Sequence, residues 1–176
     1  MNRLYHLCVV FVAALFFLNV SSCMRFPVQL DIQRSFVFTE PIDVVWEGTI
    51  HYLSSNEIPI KTQDRDSGIV NAETTHRISR DDDEFAECPT NGVDLFGDWD
   101  RHMKVHIIAS MDESDTTTVT INLEFSRVYY SAGFFRELGE RTTLDCVSTG
   151  KGEQTIYESI KKYVADQTGE VDSQEQ

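Results

Sequence analysis

The chain is short of positive charge. Of its 176 residues 15 are Lys or Arg and 29 are Asp or Glu, for a formal net charge of −14. A surface this acidic is repelled by phosphate backbones, which argues against a nucleic-acid partner. Nine glycines and four prolines are too few for a collagen-like or low-complexity chain. There is no Walker sequence, no Gly-x-Ser-x-Gly, no Gly-x-Gly-x-x-Gly and no His-Glu-x-x-His. No motif therefore calls for a nucleotide, a serine nucleophile or a zinc ion, and no cofactor is expected. The longest apolar run, Leu7 to Leu18, has 12 residues. That is too short for a spanning helix, which needs about 20. No internal repeat and no long linker divides the chain, so its length suits one domain.

A short positive start, Asn2-Arg3, followed by a 12-residue apolar run has the form of a secretory signal peptide. The run leads into Val20-Ser21-Ser22-Cys23. An apolar residue, two small residues and a Cys resemble the lipobox of bacterial lipoproteins. The resemblance implies cleavage before Cys23 and lipidation of Cys23, with Val20 standing at the usual Leu position. The alternative is an ordinary secretory signal with Cys23 as a structural thiol. Several acyl chains on one residue would anchor the protein firmly, at about 0.8 kcal/mol per buried CH₂. Met24, rather than Asp, follows the Cys. By resemblance to the enterobacterial sorting rule, that points to the outer membrane, with the domain facing the periplasm.

Four cysteines are present. Cys8 leaves with the signal and Cys23 is assigned to lipid. Cys88 and Cys146 remain in an oxidising compartment, where two such thiols usually pair. A redox pair or a pair of metal ligands are the alternatives, and neither has Cys-x-x-Cys spacing.

The organisation expected is a signal over 1–22, a tether over 23–34, one domain over 35–166 and a polar tail over 167–176. Ser35 to Thr39 reads as a strand. Pro41 then opens a helix to about Ser54, with Ile42, Val45, Trp46, Ile50 and Leu53 at helical spacing and Asp43 in the first turn. Ile58 to Thr62 and Ile69 to Ile78 form a hairpin around Asp64-Arg65-Asp66-Ser67-Gly68, which lacks the later ligands of a calcium loop. Residues 80–100 are irregular, with an acidic run Asp81 to Glu84 suited to a solvated loop. Arg101 to Met111 and Thr117 to Tyr130 are strands, the second in strict period-two alternation. Thr143 to Val147 is a last strand. Small polar residues and Glu153 then open a helix to about Asp166, carrying Ile156, Ile160 and Val164. Antiparallel strands with two helices on one face make an α+β two-layer sandwich.

The candidate chemistry is sparse. His102 and His106, four apart on a strand, share a face and are the candidate metal ligands with a nearby carboxylate; as exposed strand histidines they need no metal. Asp98-Trp99-Asp100 is a carboxylate pair, which matters for catalysis only if burial separates the two pKa values. Ser148 is better explained as a helix cap than as a nucleophile. Trp46, Tyr129, Tyr130, Phe134 and Phe135 are the aromatic candidates for a ligand or partner groove if exposed, and core if buried.

Val45-Trp46, Leu53, Ile60 and Asp64 to Ile69, with the closing Ser148-Thr149-Gly150 and Glu153, resemble BamC-like (NlpB-like) lipoprotein domains over about residues 35–166. The resemblance implies a helix-grip fold, a curved antiparallel sheet gripping a long C-terminal helix. It also implies an accessory role in outer-membrane β-barrel assembly. The chain departs from that family in having a short tether in place of a long unstructured segment, and one grip domain in place of two. The function expected is a non-catalytic, lipid-anchored module that binds a protein partner in the envelope. The alternatives are a small-ligand binder with a cavity between sheet and C-terminal helix, or a metal-dependent enzyme. Oligomeric state is open.

Overall fold

A computed structural model describes residues 27–77, 84–89, 99–112, 115–130 and 141–169. Cys23, Phe134, Phe135, Asp98, the run Asp81 to Asp83, the signal segment and the last seven residues lie outside the described residues. The elements run β1 (Ser35–Phe38), α1 (Ile42–Ser55), β2 (Ile60–Asp64), β3 (Ile69–Arg77), β4 (Ala86–Glu87), β5 (Trp99–Met111), β6 (Thr117–Tyr130), β7 (Arg141–Ser148) and α2 (Lys151–Thr168). This is an α+β fold in two layers, one antiparallel sheet and two helices.

The strands lie in the order β2-β3-β5-β6-β7-β4. β5 and β6 pair along their whole lengths, from Trp99 opposite Tyr129 to Met111 opposite Thr117. The far edge of β6 is shared. β1 pairs with its first residues, Ser35 opposite Thr120. β7 pairs with its last, Cys146 opposite Phe125. The two strands lie end to end along one edge. β4 adds two residues outside β7, Ala86 opposite Ser148.

Alternation decides which face is dry. On β6, Val119, Ile121, Leu123 and Phe125 are buried, as are Val105, Ile107 and Ala109 on β5 and Val70 and Ala72 on β3. These meet Val45, Trp46 and Leu53 of α1 and Ile156, Ile160 and Val164 of α2 in one core. The 3.6-residue period of both helices supplies the matching stripe. Where the helices cross, Gly48 has no side chain to hold them apart. A Cβ there would stand 3.1 Å from Tyr163 Cδ1 and 3.3 Å from Ile160 Cγ2. Phe36 of β1 stacks on Tyr157 of α2, with ring centroids 4.3 Å apart.

Several boundaries differ from the sequence reading. α1 begins at Ile42, with Pro41 as the extended residue before it (ψ 145°). β2 starts two residues later than expected, beyond Pro59, and carries a register shift between Ile60 and Thr62. α2 is a turn longer than expected and stops at Gly169, a left-handed residue. β4 was not expected. Two residues carry no periodicity, and its pairing is set by β7 and by the neighbouring cysteines.

Candidate functional site

Among the described residues, the face of the sheet turned away from α1 and α2 is where exposed chemistry collects. Strand pairing arranges it in rows: Thr75, His102 and Ser126; Glu73, Lys104 and Glu124; Asn71, His106 and Asn122; Ile69, Ile108 and Thr120. The two histidines share this face, as their spacing required. They do not share a row. Four residues of strand separate them by roughly 13 Å, with Lys104 between, so one metal ion cannot take both. Among the described residues no group of three His, Cys, Asp or Glu side chains could hold a metal. The two-histidine metal reading is therefore corrected: i and i+4 are neighbours on a helix but not on a strand.

Each histidine has its own setting. His106 Nδ1 donates to Asn71 Oδ1 at 2.7 Å. The amide is oriented by Asn71 Nδ2, which donates to Thr62 Oγ1 at 2.8 Å. That leaves His106 Nε2 3.9 Å from Glu124 Oε2, which Lys104 Nζ also approaches, at 3.8 Å. His102 Nδ1 and Thr75 Oγ1 share a hydrogen bond of 2.9 Å, while Nε2 is buried with no hydrogen-bond partner. Val128, on the same face, is only 1% exposed.

The aromatic candidates separate. Trp46 is 7% exposed and belongs to the core. It sits on the apolar stripe of α1, so it forms no part of a partner-facing groove; it is corrected to core. Tyr129 and Tyr130 end β6, where Tyr129 stands opposite Thr142 and Tyr130 opposite Arg141. Cys88 and Cys146 are bonded to each other across 58 residues. Glu87, beside Cys88, pairs with Val147, beside Cys146. The bridge therefore pins β4 to β7.

Ser148 is the join between sheet and helix. Its Oγ donates to Glu153 Oε2 at 2.7 Å and accepts the Gly150 N–H at 3.1 Å. Glu153 is fully buried in the first turn of α2, and its Oε1 has no hydrogen-bond partner. Ser148 is not itself the cap: the N-cap residue is the left-handed Gly150, which has no side-chain capping bond, and Ser148 lies two residues before it and holds its N–H. The burial of Glu153 was not legible, because an early acid on a helix ordinarily faces solvent near the dipole. The signal that could have found it is Ser148 itself, five residues upstream.

At the opposite end, the β2–β3 turn is built by Asp64. Its Oδ1 accepts the N–H groups of Asp66 and Ser67 at 3.1 and 3.3 Å. The Ser67 side chain first, and then those backbone N–H groups, hold its carboxyl below the usual carboxylate range. Arg65 reaches back to α1 and donates to Asp43 Oδ1 at 2.6 Å, which raises the guanidinium pKa further. Burial raises the Tyr52 hydroxyl pKa.

No family model matches the chain. No curated protein matches it either. Among the described residues, no helix is long and apolar enough to cross a membrane.

Proposed function

We propose that this protein is a lipid-anchored bacterial lipoprotein of the outer membrane, facing the periplasm. Its single α+β domain serves there as a non-catalytic binding module for an envelope protein. The observation that carries the reading is the apolar run Leu7 to Leu18 followed by Val20-Ser21-Ser22-Cys23, ahead of one α+β domain. The Cys88–Cys146 bridge suits the oxidising compartment that such a leader reaches. The order strand, helix, strands, helix, with α2 packed on the sheet, suits a BamC-like helix-grip domain. An accessory role in barrel assembly follows by analogy of fold.

A binding module is favoured over a small-ligand carrier. Trp46 of α1, Phe125 of β6 and Ile160 of α2 are all buried in the one core between the sheet and the helices. A carrier needs a cavity with convergent polar groups there.

The test is crosslinking of the full chain in its own envelope, followed by mass spectrometry of the adducts and of the N-terminal peptide. A Cys23 lipidated on both its sulfur and its amino group and a specific protein adduct are expected, with barrel-assembly components as the adduct if the accessory role is right. A Cys23→Ala variant should move to the soluble fraction. An unlipidated Cys23 in the native protein overturns the localisation.

A further inference from the structure

The segment ahead of β1 is more than a spacer. Arg34 O accepts Ile121 N at 2.8 Å, so the ladder on β6 runs one residue beyond β1. Before it, Val28, Leu30 and Ile32 alternate with Gln29, Asp31 and Gln33. Such alternation marks an extended chain with one covered side. Ile32 has its cover. A Cβ on Gly150, the N-cap of α2, would stand 3.0 Å from Ile32 Cγ2. Val28 and Leu30 do not. They are 75% and 45% exposed.

The direction of α2 explains the difference. Its Tyr157 stacks on Phe36, and its N-cap Gly150 meets Ile32. The helix therefore runs antiparallel to β1. Followed back from Ile32, the chain passes the start of α2 and leaves the helix layer behind. Phe85 shares this end. Its carbonyl accepts Thr149 N at 3.0 Å, and its ring approaches Gly152, with Cδ1 3.7 Å from where a Cβ would be. The side chain is still 37% exposed. Val28 lies within about 13 Å of Ile32, the reach of four extended residues. Val28, Leu30 and Phe85 thus form an apolar patch at the start of α2.

Where the chain comes from indicates what covers this patch. Five residues lead from Cys23 to Val28. Fully extended they span about 17 Å. With Cys23 acylated in a bilayer, Val28 stays within that distance of the lipid. Local charge permits contact. The charged side chains of residues 27–34, 84–87 and 148–152 are Asp31, Arg34, Glu84, Glu87 and Lys151, two bases against three acids, with Lys151 and Glu84 paired at 3.1 Å. The whole chain has a net charge of −14. This end lacks the acidic excess that anionic lipid would repel.

We propose that this end of the domain rests on the bilayer, with Val28, Leu30 and Phe85 in the interface beside the acyl chains of Cys23. The lipid and the patch act as two anchoring signals. The second fixes the orientation of a domain that the first alone would leave free to turn. This inference rests on the lipidation of Cys23 and adds a contact to it.

The test uses the purified, lipidated full chain in vesicles of phosphatidylethanolamine and phosphatidylglycerol. Phe85→p-benzoylphenylalanine carries the photocrosslinker. Gln63→p-benzoylphenylalanine on β2, at the opposite edge of the sheet, is the control. Mass spectrometry reads the adducts and the N-terminal peptide together. Lipid adducts are expected at 85 and not at 63. Adding Val28→Ser and Leu30→Ser should cut the adduct at 85 severalfold, because each apolar side chain withdrawn weakens the contact by up to about tenfold. Lys151→p-benzoylphenylalanine, exposed in the first turn of α2, takes the place of position 85 if circular dichroism shows that the first probe disturbs the fold. No lipid adduct at 85, equal adducts at 85 and 63, self-adducts at 85, or an adduct indifferent to the two Ser substitutions would overturn the proposal. With Cys23 found lipidated, each of those results leaves the proposed function standing. An unlipidated Cys23 overturns both.

Discussion

Removing the Cys88–Cys146 bridge is the most direct test of how the outer edge of the sheet is held. The bridge closes a loop of 58 residues. In the chain-entropy model a loop of that length restrains the unfolded chain by about 4 kcal/mol. The native side of the balance adds little, since the bridge joins residues flanking a pair that already faces across a ladder, Glu87 and Val147. Reduction should therefore lower unfolding free energy by about 4 kcal/mol. At roughly 3 °C of midpoint per kcal/mol for a domain of this size, that is about 12 °C. The assay is urea denaturation of oxidised and reduced protein, repeated on the Cys88→Ala/Cys146→Ala double variant. The loss should also be local. β4 has two residues, and besides the bridge it is held by bonds such as Thr149 N to Phe85 O and the exposed Lys151–Glu84 pair. Amide exchange in residues 84–87 should rise far more than in β5 or β6. A loss below about 1 kcal/mol would refute the loop-entropy reasoning. Exchange that rises equally across β6 would refute the claim that β4 alone depends on the bridge.

Three further outcomes are expected. Gly68→Ala should destabilise by 2 kcal/mol or more by thermal melt, roughly, because φ there is +68° and the new Cβ would collide with the Ala109 carbonyl. Ser148→Ala should cost about 1–3 kcal/mol in urea, since it strips the donor from a fully buried Glu153; a neutral result would mean that Glu153 finds another donor. Asp64 has a folded pKa below its ordinary 3.8, so its contribution is present above that value and fades as pH falls through the folded one. The stability gap between wild type and Asp64→Ala should hold at pH 5–7 and close in stronger acid, and a gap constant down to pH 2 would contradict the turn geometry.

Much of the fold was legible because its long elements carry clean periods. Val119, Ile121, Leu123 and Phe125 announce β6 by alternation, and Val45, Leu53, Ile156, Ile160 and Val164 announce the helices. The disulfide was read from the cysteine count and from the oxidising compartment that the leader implies. Three things were hidden. β4 is shorter than one alternation, so only its partners define it. Trp46 could be placed in the core by its stripe, yet an aromatic also suits a groove, and only burial separates the two. The burial of Glu153 was hidden because an acid in a first helical turn ordinarily faces solvent, and only its bond to Ser148 marks it.

The end-to-end sharing of one β6 edge by β1 and β7 also sets a folding order. Ser35 and Thr120 touch through their hydroxyls across 85 residues of chain. Among the described residues β1 is the first strand synthesised, and it has no seat until β6 exists. The local work, the β2–β3 and β5–β6 hairpins, can finish first; closure waits for a loop spanning half the chain. Non-local pairing of this kind places the domain toward the slow end of folding rates. It also means that the segment nearest the N-terminus docks late and leaves early. A pull applied at the N-terminus would peel β1 from β6 before it disturbed the hairpins.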